Sequence, residues 1–154
     1  MSGKINSIVF VCLGNICRSP MCESIMTYLL KQNKMDYIKV YSMGTSMEEY
    51  GNPIHSGTKR VLFEHNIPIV PHRAEQIHKS DYDKFDLIVG LDHSNVRNLY
   101  RIFGGDPSNK IHLLLNFSGI DRDVQDPWWT GNFDATYDDC ILGCTSLVKY
   151  IADS

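Results

Sequence analysis

The segment Ile5 to Val11, INSIVFV, is a short run rich in apolar and β-branched side chains. Such a run suits a central strand covered on both faces, the position that a parallel sheet between helices provides. It stops at Cys12, and Gly14-Asn15 turns the chain. Ser19-Pro20 then reads as a helix start, with Ser19 as N-cap and Pro20 at the first helical position. Met21, Ile25, Tyr28 and Leu29 follow at helical spacing.

The same alternation recurs along the chain. Asp36 to Ser42, Phe85 to Leu91 and Lys110 to Leu115 read as strands. Pro53 to His65 reads as a helix that places Val61, Leu62 and His65 on one face, and Asn66 suits a left-handed C′ position after it. Ser94 to Phe103 is helical with Val96, Leu99, Tyr100 and Phe103 inward. A last helix runs from Phe133 to Ile151 with Tyr137, Cys140, Ile141, Cys144, Val148 and Ile151 on one stripe. Strands alternating with helices predict an α/β fold of three layers: a four-stranded parallel sheet with helices on both faces, Rossmann-like, with right-handed crossovers. In such sheets ligands bind beyond the carboxyl ends of the strands, so the turn after Cys12 is where chemistry is expected.

Composition narrows the class. At 154 residues the chain fits one domain, 1–154, able to bury a core without disulfides or a structural metal. Its 18 acidic and 15 basic side chains leave a net charge of -3, which recommends neither nucleic acid nor an anionic membrane as a partner. The apolar stretch near the N-terminus, Ile8 to Cys12, is too short for a signal peptide or a membrane span. The five cysteines therefore read as free thiols in a reducing cytoplasm. Cys140 and Cys144 lie four apart on an apolar stripe and Cys22 on the first helix, positions that suit core packing. His55, His65, His78, His93 and His112 show no metal-ligand spacing.

At the first strand–helix junction stands Cys12-Leu13-Gly14-Asn15-Ile16-Cys17-Arg18-Ser19-Pro20, a C-x5-R-S pattern. A loop of this length can curl until its N–H groups converge on one centre, an anion cradle reinforced by the following helix N-terminus. Gly14 and Asn15 are residue types that tolerate the positive φ a curl requires. Arg18 offers a planar fork that matches two phosphate oxygens. A cysteine beneath that centre, among N–H donors and a guanidinium, is favoured as the nucleophilic thiolate. Ser19 is placed to donate a hydrogen bond to the sulfur. The pattern G-x-x-x-x-G-K-[ST] is absent, which excludes a nucleotide-binding P-loop.

Val11 to Pro20 resembles the phosphate-loop signature of low-molecular-weight protein tyrosine phosphatases, and the resemblance runs over essentially the whole chain. Ser42-Met43-Gly44-Thr45-Ser46 is similar to the family's S-x-G-T-S segment, and Pro71-His72-Arg73-Ala74 to its H-x-A segment. Leu91-Asp92-His93-Ser94-Asn95 resembles its D-x-x-N helix start, and Asp126-Pro127-Trp128-Trp129 its D-P-aromatic-aromatic loop. The resemblance implies hydrolysis of phosphotyrosine and aryl phosphomonoesters through a phosphocysteine, with no metal and no cofactor. It implies Cys12 as nucleophile, Arg18 as phosphate clamp and Asp126, on a loop before Pro127, as general acid. It also implies a network of Asn15, Ser19, Ser42 and His72 that holds the loop, with Asp92 near the arginine or simply a helix cap. Glu23 would pair with His72 and raise the histidine's pKa.

The substrate wall falls to one of Trp128 and Trp129, which point to opposite sides of an extended loop, and to Tyr50, the nearest aromatic after the S-x-G-T-S segment. Glu48 and Glu49 stand where relatives often carry an aromatic, so a more acidic rim is expected. Expected partners are phosphotyrosine proteins and oxyanions, and the expected state is a monomer or weak dimer. Three rival readings fall short on the residues present. Thioredoxin-coupled arsenate reductase needs cysteines that Ser80 to Tyr100 lacks, and protein-arginine phosphatases carry a small Thr where Ile16 stands. A non-catalytic phosphate-binding module is disfavoured because Cys12, Arg18 and Asp126 are all present.

Overall fold

The computed structural model describes residues 4–154, so the first three residues of the domain expected over 1–154 lie outside the described residues. Four strands, β1 (Ser7–Cys12), β2 (Lys39–Gly44), β3 (Leu87–Gly90) and β4 (Ile111–Leu113), form one parallel sheet in the order β2-β1-β3-β4. The helices are α1 (Arg18–Gln32), α2 (Ser56–Glu64), α3 (His93–Phe103), the single turn α4 (Pro127–Thr130) and α5 (Phe133–Ala152). The predicted α/β class and parallel sheet are what the chain adopts.

The period-2 geometry of β1 explains the three layers. Ile8, Phe10 and Cys12 point to one face, into a core shared with α1, α2 and α5. Val9 and Val11 point to the other, against Leu99 and Phe103 of α3 and the 3₁₀ turn Lys79–Lys84. Every residue of β1 after Ser7 is buried, as the apolar run requires. The chain leaves β1 for β2 over one face through α1 and leaves β3 for β4 over the other through α3. Because the two steps run in opposite directions across the sheet, opposite faces give both crossovers one hand. The reversal lies between β1 and β3, and the Cys12 loop emerges there.

Several boundaries differ from expectation for identifiable reasons. β2 starts at Lys39 and reaches Gly44, because its register pairs Gly44 with Cys12 at the very end of β1. α2 starts at Ser56, since Pro53 is extended in an antiparallel bridge to Arg73 and His55 caps the helix by accepting from Gly57 N at 3.0 Å. β4 gives way after Leu113 to a 3₁₀ turn, Leu114–Ser118, with Leu114 and Leu115 fully buried. Tyr100 is exposed rather than inward. Asn66 does take a left-handed φ of 58°.

Candidate active site

The expected N-cap at Ser19 is not what forms. α1 begins at Arg18, with Cys17 in the cap position and no side-chain cap. Ser19 is committed elsewhere: its Oγ lies 2.9 Å from Cys12 Sγ. The helix therefore points its first-turn N–H groups at the loop, as an anion site needs.

The loop is held by one side chain in particular. Asn15 is fully buried and has φ 61°, so it supplies the left-handed turn. Gly14 does not; its lack of a side chain matters because a Cβ there would come 3.3 Å from Glu49 Cγ. The Asn15 amide uses its full hydrogen-bonding capacity. Nδ2 donates to Ser19 Oγ at 2.8 Å and Ser42 Oγ at 3.2 Å. Oδ1 accepts from Glu75 N at 2.8 Å and faces His72 Nε2 at 3.0 Å. Since Ser19 Oγ accepts from Asn15, its own hydrogen is left for the Cys12 sulfur, the nearest acceptor. Asn15 N also donates to that sulfur at 3.3 Å.

Behind Asn15, Ser42 Oγ donates to Glu23 Oε1 at 2.7 Å, and Glu23 Oε1 lies 3.4 Å from His72 Nδ1. The predicted network of Asn15, Ser19, Ser42, His72 and Glu23 is thus assembled. The predicted electrostatics are not. Burial pushes the Glu23 carboxyl up to about 7, against the Ser42 hydrogen bond, and burial pushes His72 down, against its bond to the Asn15 carbonyl. A carboxyl that is itself losing its charge cannot raise its neighbour, which is why the expected upward shift of His72 fails.

Arg18 is almost completely buried. Its Nη1 donates to Asp92 Oδ2 at 2.7 Å and to the Val124 carbonyl at 3.0 Å. Burial works against its charge, but Cys12 and Asp92 outweigh it and hold the guanidinium above its ordinary value. Asp92 is both things the sequence allowed: it caps α3 through Oδ1, which accepts from Asn95 N at 2.6 Å, and it fixes Arg18 through Oδ2. The Val124 carbonyl was not foreseen, because a backbone acceptor leaves no mark in a sequence.

Asp126 lies across the cleft, with Oδ2 3.5 Å from Arg18 Nη2. It is not a free loop residue but the N-cap of α4, where Oδ1 accepts from Trp128 N at 3.1 Å and Pro127 takes the first helical position. Because Trp128 and Trp129 sit on a helical turn rather than an extended loop, both line the cleft, where one was expected to. His55 backs Trp128 edge-on at 5.7 Å. Tyr50 does not line the cleft: the turn closed by Tyr50 N on the Met47 carbonyl at 3.0 Å leaves its ring 69% exposed. Glu48 and Glu49 form that wall instead. The cleft floor is the loop itself, Cys12 to Arg18, with Ile16 and Cys17 included. Cys22, Cys140 and Cys144 are buried in the core, and all five cysteines are free. Among the described residues no helix is long and apolar enough to cross a membrane.

A parallel α/β sheet whose first strand delivers a cysteine beneath an arginine-closed anion loop defines the class of cysteine-dependent phosphate-loop proteins. The comparisons with known proteins narrow this. Residues 7–154 match the family described as low molecular weight phosphotyrosine protein phosphatase. The chain is 44% identical over 147 residues to the low molecular weight protein-tyrosine-phosphatase PtpA of Staphylococcus aureus (strain MRSA252), covering 94% of this chain and 92% of that one. YfkJ from Bacillus subtilis superposes with a TM-score of 0.92 at 35% identity, over 98% of this chain and 97% of that one. SP-PTP, a low molecular weight protein tyrosine phosphatase from Streptococcus pyogenes, does so with a TM-score of 0.82 at 37% identity, over 95% and 93%. The chain belongs to the low molecular weight protein tyrosine phosphatase family and is a phosphatase.

Proposed function

We propose that this enzyme hydrolyses phosphotyrosine in proteins, and aryl phosphomonoesters generally, through a phosphocysteine on Cys12. The observation that carries the reading is the Cys12 sulfur, 2.9 Å from the Ser19 hydroxyl and 3.3 Å from Asn15 N, on the floor of a cleft across which Asp126 faces Arg18. The phosphoryl group sits in the loop with Arg18 bridging two of its oxygens. Cys12 Sγ attacks phosphorus as the P–O bond to the tyrosine breaks, and Asp126 gives its proton to the departing phenolate oxygen. Water then attacks the phosphocysteine, Asp126 takes the water's proton, and the P–S bond breaks. The hydrogen bond from Ser19 stabilises the sulfur as it leaves.

Trp128 and Trp129 supply aromatic faces for the tyrosine ring, and Ile16 in the floor suits an aryl group rather than a polar one. Five free thiols support a reducing, cytoplasmic setting. Replacing Cys12 with Ser should abolish turnover while phosphate still binds, as read by calorimetry. Retention of a tenth of the rate would rule Cys12 out as nucleophile. Asp126→Ala should slow phosphotyrosine by roughly a hundredfold or more but an aryl phosphate with an acidic phenol much less, because that phenolate departs unaided. Glu48 and Glu49 on the wall should favour basic or neutral residues beside the phosphotyrosine, through a field that salt screens. Matched acidic and basic phosphopeptides test this, and equal kcat/KM at low salt would sink it.

A further inference from the structure

We propose that His93 is a positioning residue of the reaction: as the imidazolium it ties the segment 121–126, which carries Asp126, to the start of α3, and it lets that segment go when it loses its proton.

Both ring nitrogens of His93 face carboxylates on the segment. Nδ1 lies 2.6 Å from Asp123 Oδ1, and Nε2 lies 2.8 Å from Asp121 Oδ1. The His93 backbone N–H donates to Asp123 Oδ1 as well, at 2.8 Å. A carboxylate only accepts, so both contacts are hydrogen bonds only when both nitrogens carry hydrogen. A neutral imidazole would turn a lone pair toward one of the two oxygens at under 3 Å and lose that bond.

The anchor on each side is part of the site. His93 follows Asp92, which holds Arg18, and the tied segment continues through Val124, whose carbonyl accepts from Arg18 and whose N–H donates to the Leu91 carbonyl at 2.9 Å. Two residues later stands Asp126. Elsewhere the segment is anchored to α5, by Arg122 on Asp139 at 2.8 and 3.0 Å and by Thr136 Oγ1, which donates to the Gln125 carbonyl at 3.1 Å; His93 is what ties it to the start of α3 beside Asp92.

The charged groups around the imidazole are Asp121 and Asp123 on the segment, with Arg18 acting on Asp123 from α1. The hydrogen bonds to Asp121 and then Asp123 hold His93 above the ordinary 6.5 of a histidine. Its half-exposed ring exchanges protons freely with solvent. The tie is therefore closed at the acidic pH at which a carboxylic acid can donate a proton. It opens as pH rises. A general acid displaced by a fraction of an ångström loses much of its effect.

The idea rests on the reading of Asp126 as general acid, and two variants separate them. His93→Gln should lower kcat for phosphotyrosine roughly three- to tenfold at acidic pH with KM within about twofold. It should change the rate much less for an aryl phosphate of low leaving-group pKa, and it should converge with wild type above the imidazole's midpoint. Asp121→Asn, a change at an exposed side chain, should bring the NMR-observed His93 midpoint down toward 6.5 and give a smaller kinetic effect of the same kind. A pH–rate profile of His93→Gln that superposes on wild type overturns the proposal, as does an equal loss at every pH and for both leaving groups. If wild type turned over neither substrate, the reading of the site would fail by itself. The tie would then be judged by amide hydrogen exchange at Val124, expected to quicken in both variants compared with wild type at one pH, and overturned by equal rates.

Discussion

Cys17 shares the loop with Cys12, the proposed nucleophile. Its thiol is almost fully buried, and burial first, then the neighbouring Cys12, pushes it up to about 12. Its carbonyl accepts from Thr58 Oγ1 at 3.0 Å, so its backbone serves the scaffold whatever the sulfur does. Peroxide would convert the Cys12 thiolate to a sulfenic acid, and attack by Cys17 sulfur would then expel water and close a disulfide. A thiol held this high is a slow attacker at neutral pH, because thiolate is the attacking form. Oxidation of Cys12 removes one of the charges that hold Cys17 up, so the second step is eased by the first. Wild type should recover activity with added thiol after peroxide, and recovery should be more complete when oxidation is done at pH about 8.5 than at about 6. Cys17→Ala should lose most of it. Equal recovery by Cys17→Ala would leave Cys17 as packing alone.

At the level of elements, the loop depends on how closely β2 approaches it. Thr45 N donates to the Cys12 carbonyl at 2.9 Å and Ser46 N to the Leu13 carbonyl at 3.0 Å, so the exit of β2 continues the sheet ladder into the loop. A Cβ on Gly44 would sit 2.7 Å from the Leu13 oxygen and 3.1 Å from Asn15 Cβ, and neither backbone can retreat without opening the cradle. Gly44→Ala should therefore reduce kcat/KM by roughly tenfold or more while Tm falls by only a few degrees. A variant with normal kinetics would show that the loop relaxes freely. The same elements show what a sequence discloses. The strand under Cys12 was legible because its apolar run exceeds what one buried face needs, and Cys12, Arg18 and Asp126 because the loop pattern and the D-P motif fix their neighbours. Ser19 was misplaced as a cap because its hydroxyl has two uses with one local pattern, and the sulfur wins. Tyr50 was misplaced because the Met47 turn that swings it away is set by a backbone hydrogen bond. The wall formed by both tryptophans depends on α4 being helical, which four residues after an aspartate and a proline do not announce.

At the scale of the whole molecule, Glu23, His72 and His93 are among the groups that tie stability to pH, and their signs differ. Glu23 ordinarily ionises near 4.5 but keeps its proton to about 7 when folded. The unfolded chain gives up that proton first, so this contribution is full below 4.5 and is lost as pH rises to about 7. His72, lowered from 6.5 by burial, acts in reverse: the unfolded chain takes up a proton first, so its effect is a loss as pH falls below 6.5. His93, raised above 6.5, stabilises below that value, and this is lost as pH rises through its folded midpoint. Burial thus favours the uncharged form of both members of the pair beneath the loop, Glu23 and His72, 3.4 Å apart. Glu23→Gln isolates one member of the set, because glutamine keeps an oxygen for the Ser42 hydroxyl but cannot ionise. The shift of Glu23 corresponds to about 3 kcal/mol at neutral pH. The variant's Tm relative to wild type should therefore climb by roughly 5–10 °C between pH 4.5 and 7.5. Scanning calorimetry at four or five pH values across that range decides it: a Tm difference that stays constant with pH means that Glu23 ionises normally in the folded protein.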